Sequence, residues 1–218
     1  MEKIETDNIN TKSYWESRFS TGDWEEKGGR KQTSSFAASQ NKHLRIPKNF
    51  DGVIVDFGCG LGDAIPVYHR YFPNAKLVGL DVSEVAIEKC KNYFGYIAQF
   101  KHGSYYDCPI SDVIVASNVF EHLSEDINIA RELLKKCREL YIIVPYKENP
   151  LCSEHLRIYD ENYFREIGEY EYTIFPSLGW SEYGLSWIKL NINNILRKIC
   201  GKKTNLRKMQ IMFIFKSM

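Results

Sequence analysis

The feature that most constrains the fold is a turn, Asp56-Phe57-Gly58-Cys59-Gly60-Leu61-Gly62-Asp63, set directly behind the apolar run Val53-Ile54-Val55. A run that short and continuous suits a strand covered on both faces. Glycines at alternate positions let the chain reverse sharply and let its backbone approach a ligand closely. The helical stretch that follows, to Phe72, completes the opening unit of a parallel sheet. The turn also speaks about the ligand. A dinucleotide-binding turn takes G-x-G-x-x-G/A, its third glycine packing helix against strand beside a pyrophosphate. Here the third glycine comes one residue early, and Asp63 stands where Gly or Ala is wanted. A carboxylate at the helix end that should receive phosphate points away from NAD and toward a ligand without phosphate.

The alternation continues downstream. Leu77 to Leu80 reads as a second buried strand, and Ser83 caps a helix from Glu84 to Phe94 that Gly95 ends. A weaker strand follows near Ile97 to Lys101, then a fourth at Val113 to Ala116. Ser124, Glu125 and Asp126 open a helix expected to turn Ile127, Leu133, Leu134 and Cys137 to one side. Tyr141 to Val144 is a fifth strand, stopped by Pro145. Strands separated by helices imply a parallel sheet with right-handed crossovers, whose ligands bind where the strand order reverses, at the strands' carboxyl ends. Asp81 ends the second strand, 21 residues after Gly60. A carboxylate there can accept bonds from both hydroxyls of a ribose; the plainer alternative is a helix cap in Asp81-Val82-Ser83.

The flanks are less regular. Residues 1–50 are polar, with helix-like stretches at Tyr14 to Phe19 and Ser35 to Leu44 around a loop-like Gly22 to Lys31, and are expected to form a helical cover over a domain spanning 51–218. Glu171 to Phe175 reads as a sixth strand and Met209 to Phe215 as a seventh. Between them, at about 178–208, lies a basic lid-like insertion. Leu185 to Lys208 holds seven Lys or Arg and no acid, with Trp187, Ile188, Leu190, Ile192, Ile195, Leu196 and Ile199 at roughly helical spacing. It reads as a cap for an anionic acceptor or a peripheral membrane contact, or as a packed helix with a solvated basic side.

With 218 residues, 44% hydrophobic, the chain can bury one core, and its net charge of +1 gives no sign of a nucleic-acid partner. Its six cysteines include no C-x-x-C pair, so neither a zinc ribbon nor a redox couple is expected. No histidine and carboxylate cluster has metal-ligand spacing, so no metal is expected. No secretion signal or membrane span is legible, which makes a cytoplasmic location with free thiols the default.

These motifs together resemble the class I S-adenosylmethionine-dependent methyltransferases. Val53 to Gly62 is similar to their first motif, Leu77 to Ser83 to their second, and Ser111 to Leu123 to the strand and loop that line the methionine part of the cofactor. The resemblance covers about residues 50–165. It implies a Rossmann-like, doubly wound α/β sheet of seven strands, mostly parallel, with the last strand antiparallel between the fifth and sixth. It implies cofactor contacts from Asp56 and from the backbone of Gly58, Cys59 and Gly60. Asp81 would hold the ribose hydroxyls, Val82 would touch adenine, and Asn118 with Val119 would lie near the sulfonium. Where many relatives carry an acid for the adenine amino group, this chain has Ser104 and Tyr105. Tyr14 to Phe19 resembles a helix that covers the cofactor, with Trp15 packed on it and Arg18 paired with its carboxylate; otherwise Trp15 is core and Arg18 solvated.

Methyl transfer to an alcohol needs positioning and a general base, and histidine suits that task near neutral pH. His122 follows the fourth strand and His155 lies beyond the fifth, on the acceptor side implied by the resemblance. His155 is the first candidate base; the plain alternative has it capping a helix that begins near Asp160. Ser117-Asn118-Val119-Phe120 lacks the Pro-Pro-aromatic pattern of enzymes that methylate nucleic-acid amino groups. The expected reaction is O-methylation of a small molecule: a sugar, nucleotide sugar or lipid-linked glycan precursor, hence carbohydrate biosynthesis. A protein or RNA methyltransferase and a non-catalytic binding protein are the rivals. An NAD-dependent oxidoreductase is disfavoured by Asp63 and by the lack of Tyr-x-x-x-Lys, since Ile97 follows Tyr93 and Pro145 follows Tyr141 at that spacing.

Overall fold

In β1 (Val53–Phe57) successive side chains leave the strand on opposite sides, and every one from Ile54 on is buried. The reason is the neighbourhood. β1 pairs in parallel with β2 (Lys76–Asp81) on one side and β4 (Val113–Ser117) on the other, the centre of a seven-stranded sheet of order β3-β2-β1-β4-β5-β7-β6. β3 is Gln99–His102, β5 Glu139–Tyr146, β6 Glu171–Pro176 and β7 Met209–Lys216. β7 runs antiparallel between β5 and β6, as the resemblance implies. The sheet belongs to a computed structural model that describes residues 9–177, 192–193, 195–201 and 208–217. Most of the expected basic lid therefore lies outside the described residues.

Two apolar layers sandwich the sheet. On one face Val55, Ile114, Ala116, Leu140 and Ile142 pack with Ala130 and Leu133 of helix α6 (Asp126–Leu134) and with Phe164. On the other, Ile54, Val115, Tyr141 and Ile143 pack with Ile65 and Tyr68 of α4 (Ile65–Tyr71) and Ala37 of α3 (Gly29–Gln40). Helix α5 (Glu84–Phe94) starts as expected, its N-cap Ser83 Oγ accepting from the Ala86 amide at 3.1 Å. Among the described residues no helix is long and apolar enough to cross a membrane.

Several expectations need correction. Gly22 to Lys31 is not a loop. It holds α2 (Asp23–Glu26) and the start of α3, because Gly22 and Gly28, at φ +82° and +78°, serve as the caps that begin those helices. The third strand lies slightly later than expected. Helix α6 and the turn after it bring Ile127, Leu133, Leu134 and Cys137 toward one core, as expected, with Ile127 and Leu134 half-buried, and the helix also buries Asp126, Ile129 and Ala130. The buried Asp126 carboxylate, which was not expected, is held by Arg157 and accepts from Tyr159 Oη at 2.9 Å. No helix begins near Asp160; the chain there makes turns that deliver Tyr159 and Phe164 to the core.

Phe164 is fully buried, ringed by Phe120, Tyr159, Phe213 and Phe215 at centroid distances of 4.9–6.1 Å. Truncating it to alanine is expected to cost about 3–5 kcal/mol in a urea titration. A loss below about 1 kcal/mol would show that this aromatic nest does not anchor the β5–β7 face.

Candidate functional site: a cleft at the carboxyl ends of the strands

At the end of β1 the chain must turn away from the sheet beside β2. The amides of Gly58 and Cys59 both donate to the Leu80 carbonyl, at 2.8 and 3.1 Å. Gly58 sits at φ +72°, and a Cβ there would lie 2.5 Å from the Val119 side chain. Only glycine turns here with β4's following loop so close. The Gly60 amide donates to Asp81 Oδ2 at 2.8 Å, and the Ser83 amide donates to Asp81 Oδ1 at 2.9 Å. One carboxylate thus ties the glycine turn to the end of β2 and the start of α5. Burial raises the Asp81 carboxyl, and these amides partly hold it down.

The turn opens onto a cavity of about 1180 Å³, above the usual range for a single small ligand. Asp56, Gly58, Cys59, Gly60, Asp81 and Val82 line one end. Cys59 contributes backbone there; its buried thiol turns inward, close enough that a Cβ on Gly79 would strike it. Asp56 is buried, and its Oδ2 has no hydrogen-bond partner. Burial, reinforced by Asp81, pushes its carboxyl up to about 7. A buried carboxyl with an open oxygen beside a backbone cradle suits a cationic, hydrogen-bonding group.

Helices α1 (Lys12–Ser20), α2 and α3 roof this end. Glu16 Oε1 accepts from the Val85 amide at 3.1 Å, in the first turn of α5. Arg30 pairs with Asp63 at 2.9 Å, which explains the acid at the third-glycine step: it latches α3 to the start of the next helix. Trp15 stands edge-on to His122 at 5.1 Å and near Phe19 and Trp24. Arg18 is not solvated. Its Nε donates to Asp23 at 3.1 Å and its Nη1 to both Glu154 oxygens at 2.9 Å. Among the described residues its Nη2 makes no hydrogen bond.

The far end of the cavity is polar. Asn118, at φ +55°, donates through Nδ2 to Glu121 Oε1 at 3.1 Å and accepts from Gln210 Nε2 at 2.9 Å. Glu121 is buried, and its Oε2 is unpartnered; burial, opposed by His155 and Asn118, pushes its carboxyl up to about 7. His122 Nδ1 lies 3.1 Å from the Glu154 carbonyl, and burial drives its pKa down to about 4, so the ring is neutral at pH 7. His155 Nδ1 lies 2.5 Å from Glu148 Oε2. Burial works against its charge, but Glu148 and the carboxylates of Glu121 and Glu154 outweigh that and hold its pKa above the ordinary value. The two rings are 5.0 Å apart. Although the sequence shows no metal-ligand spacing, donor atoms of Glu121, His122 and His155 lie within 4.8 Å of one another.

Twelve of the fourteen sequence-selected residues therefore wall one cavity: Trp15, Arg18, Asp56, Gly58, Cys59 and Gly60, then Asp81, Val82, Asn118, Val119, His122 and His155. Ser104 and Tyr105 do not line it. The Ser104 amide and hydroxyl are taken by Asp107, at 2.9 and 3.2 Å, and Tyr105 leans on Tyr106; Gly103 reaches the cavity instead. His155 caps no helix. Glu121, Glu148, Glu154 and Gln210 also line the cavity and were not selected from the sequence. Glu121 and Glu154 each adjoin a selected histidine, which is the signal that was available; the other two carry none.

Residues 54–140 match the family model of a methyltransferase domain. No curated protein matches the sequence. Among solved structures the chain is similar to one from the complex of the Haloferax volcanii Trm112 methyltransferase activator with a methyltransferase, at TM-score 0.65 and 15% identity over 93% of this chain and 97% of that one. It is similar to the plantazolicin methyltransferase BpumL in complex with a triazolic desmethylPZN analog and SAH, at TM-score 0.60 and 18% identity over 100% of both. Coclaurine N-methyltransferase bound to N-methylheliamine and SAH matches at TM-score 0.59 and 11% identity, over 84% of this chain and 72% of that one.

Because Asp56 titrates near 7 in the folded chain and near 3.8 when unperturbed, folding takes up a proton between those values. Its protonated form is therefore favoured by folding at low pH, and stability falls as pH rises from about 4 to 7. Asp56→Asn lacks that loss. Urea titrations at pH 4 and 8 should show the variant gaining on the wild type by about 2–4 kcal/mol at the higher pH. A difference that does not change with pH would contradict the buried, unpaired carboxyl.

Proposed function

We propose that this chain, whose residues 54–140 match a methyltransferase domain, is a class I S-adenosylmethionine-dependent methyltransferase that methylates a hydroxyl oxygen of a small molecule seated at the Glu121–His122–His155 end of the cavity. The carrying observation is the division of one cavity into two chemically distinct ends. A backbone cradle with two buried carboxyls, Asp56 and Asp81, faces a cluster of imidazoles and carboxylates.

The residues present fit the cofactor. Asp56 Oδ2, buried and unpaired, suits the amino group of its methionine part. Asp81 has both oxygens fixed by backbone amides, which orients its remaining lone pairs for the ribose hydroxyls. Val82 offers apolar surface for adenine and Trp15 a lid. When bound, S-adenosylmethionine supplies an electrophilic methyl group on a positively charged sulfur.

On the acceptor side, Glu148 fixes the His155 ring through Nδ1, which leaves Nε2 to take a hydroxyl proton. The neutral His122, held through Nδ1 by the Glu154 carbonyl, shapes the same wall. A sugar, nucleotide sugar or glycan precursor fits an end this rich in hydrogen-bonding groups. Lys208 in the wall, at the close of the basic stretch, favours an anionic one.

Calorimetric titration with S-adenosylhomocysteine is expected to show binding by the wild type that weakens by about 1–3 kcal/mol in Asp81→Ala. No binding by folded wild type would overturn the cofactor site. With an accepted sugar, His155→Asn should lower kcat by about 10²–10⁴-fold while leaving S-adenosylhomocysteine affinity nearly unchanged. An unchanged kcat would remove His155 from the acceptor site.

A further inference from the structure

Three loops converge at the polar end of the cavity, and they leave one donor atom open on each of three side chains. Glu121 has Oε1 on the Asn118 amide, and its buried Oε2 has no partner. His122 has Nδ1 on the Glu154 carbonyl, and His155 has Nδ1 on Glu148. Each ring is thereby oriented through one nitrogen, with Nε2 remaining. The donor atoms of the three residues lie within 4.8 Å of one another, and all three residues line the cavity. Metal-binding histidines are held in this way, the second nitrogen donating to a carboxylate or a backbone carbonyl that fixes tautomer and direction.

We propose that Glu121, His122 and His155 bind a divalent transition-metal ion beside the acceptor hydroxyl. The donor set decides the class of ion. Two imidazoles and one carboxylate suit zinc, iron(II) or cobalt(II), whereas magnesium prefers an all-oxygen octahedron. Three protein ligands leave coordination positions open on the cavity side. The local charge is suited to it, since Glu121, Glu148 and Glu154 surround the cluster while Arg18 already neutralises Glu154.

The proposal rests on the cavity's reading as a methyl-transfer site and puts the ion in place of His155 as the group that activates the hydroxyl. With the ion bound, His155 is a ligand rather than a free base. The acceptor hydroxyl coordinates the ion, which lowers its pKa so that the proton leaves to solvent before the oxygen accepts the methyl group. Glu148 is then a positioning residue acting through His155.

The test uses the full chain, stripped with chelator and titrated with Co²⁺ under a spectrophotometer, beside S-adenosylhomocysteine calorimetry on the same samples. One Co²⁺ per chain is expected, with visible d–d bands and no sulfur-to-cobalt charge-transfer band. Glu121→Gln and His155→Gln should abolish those bands, and Glu148→Gln should weaken affinity about 10–100-fold. All three should keep wild-type circular dichroism and S-adenosylhomocysteine binding. Wild type that binds S-adenosylhomocysteine but gives no cobalt bands overturns the metal site and leaves the cofactor site standing. Bands that persist in Glu121→Gln or His155→Gln, or that disappear instead when the cavity-lining Cys152 is changed in Cys152→Ser, overturn it as well. Loss of S-adenosylhomocysteine binding in the wild type overturns the underlying reading separately.

Discussion

The hydrogen bond from the Gly60 amide to Asp81, at 2.8 Å, is the contact on which the site depends. It joins two strand ends that the sheet only places side by side. β1 and β2 could pair in the same register without it. Then the glycine turn would rest on the Gly58 and Cys59 bonds to the Leu80 carbonyl alone, and Asp81 would hold only the Ser83 amide. Because Asp81 is buried, its desolvation is tolerated only while those amides are in place. The same carboxylate that fastens the backbone is the group we propose for the ribose hydroxyls.

The N-terminal helices extend that logic across the cavity. Glu16 reaches the first turn of α5, Arg30 latches Asp63, and Arg18 draws Glu154 toward Tyr14. Glu154 in turn presents its carbonyl to His122, and the next residue is His155. The roof thus touches the imidazole end of the cavity through Arg18 and Glu154.

Much of the fold was legible because buried parallel strands advertise themselves as short apolar runs and because glycine and aspartate at strand ends have few other uses. β1, β2, β4 and β5 follow that logic; the antiparallel placement of the last strand came from the family resemblance instead. The glycines at 22 and 28 misled, since the residue that interrupts a helix pattern also begins one when its φ is positive. The burial of Asp126 in α6 was hidden because its partners lie 31 and 33 residues away. The acceptor end resisted for the same reason. Glu121, His122, Glu148 and His155 are spread over 35 residues, and only the folded loops bring their donor atoms together. Ser104 misled differently: its position matched, but Asp107 captures its hydroxyl locally.

A crystal structure with S-adenosylhomocysteine tests the central claim most directly, because it locates both ends of the cavity at once. The account predicts ribose hydroxyls on the Asp81 carboxylate, the amino group within hydrogen-bonding distance of Asp56, and the sulfur turned toward Glu121, His122 and His155. Density lying elsewhere, or a ligand that leaves Asp56 Oδ2 unpaired and turns its sulfur away from the imidazoles, would contradict it.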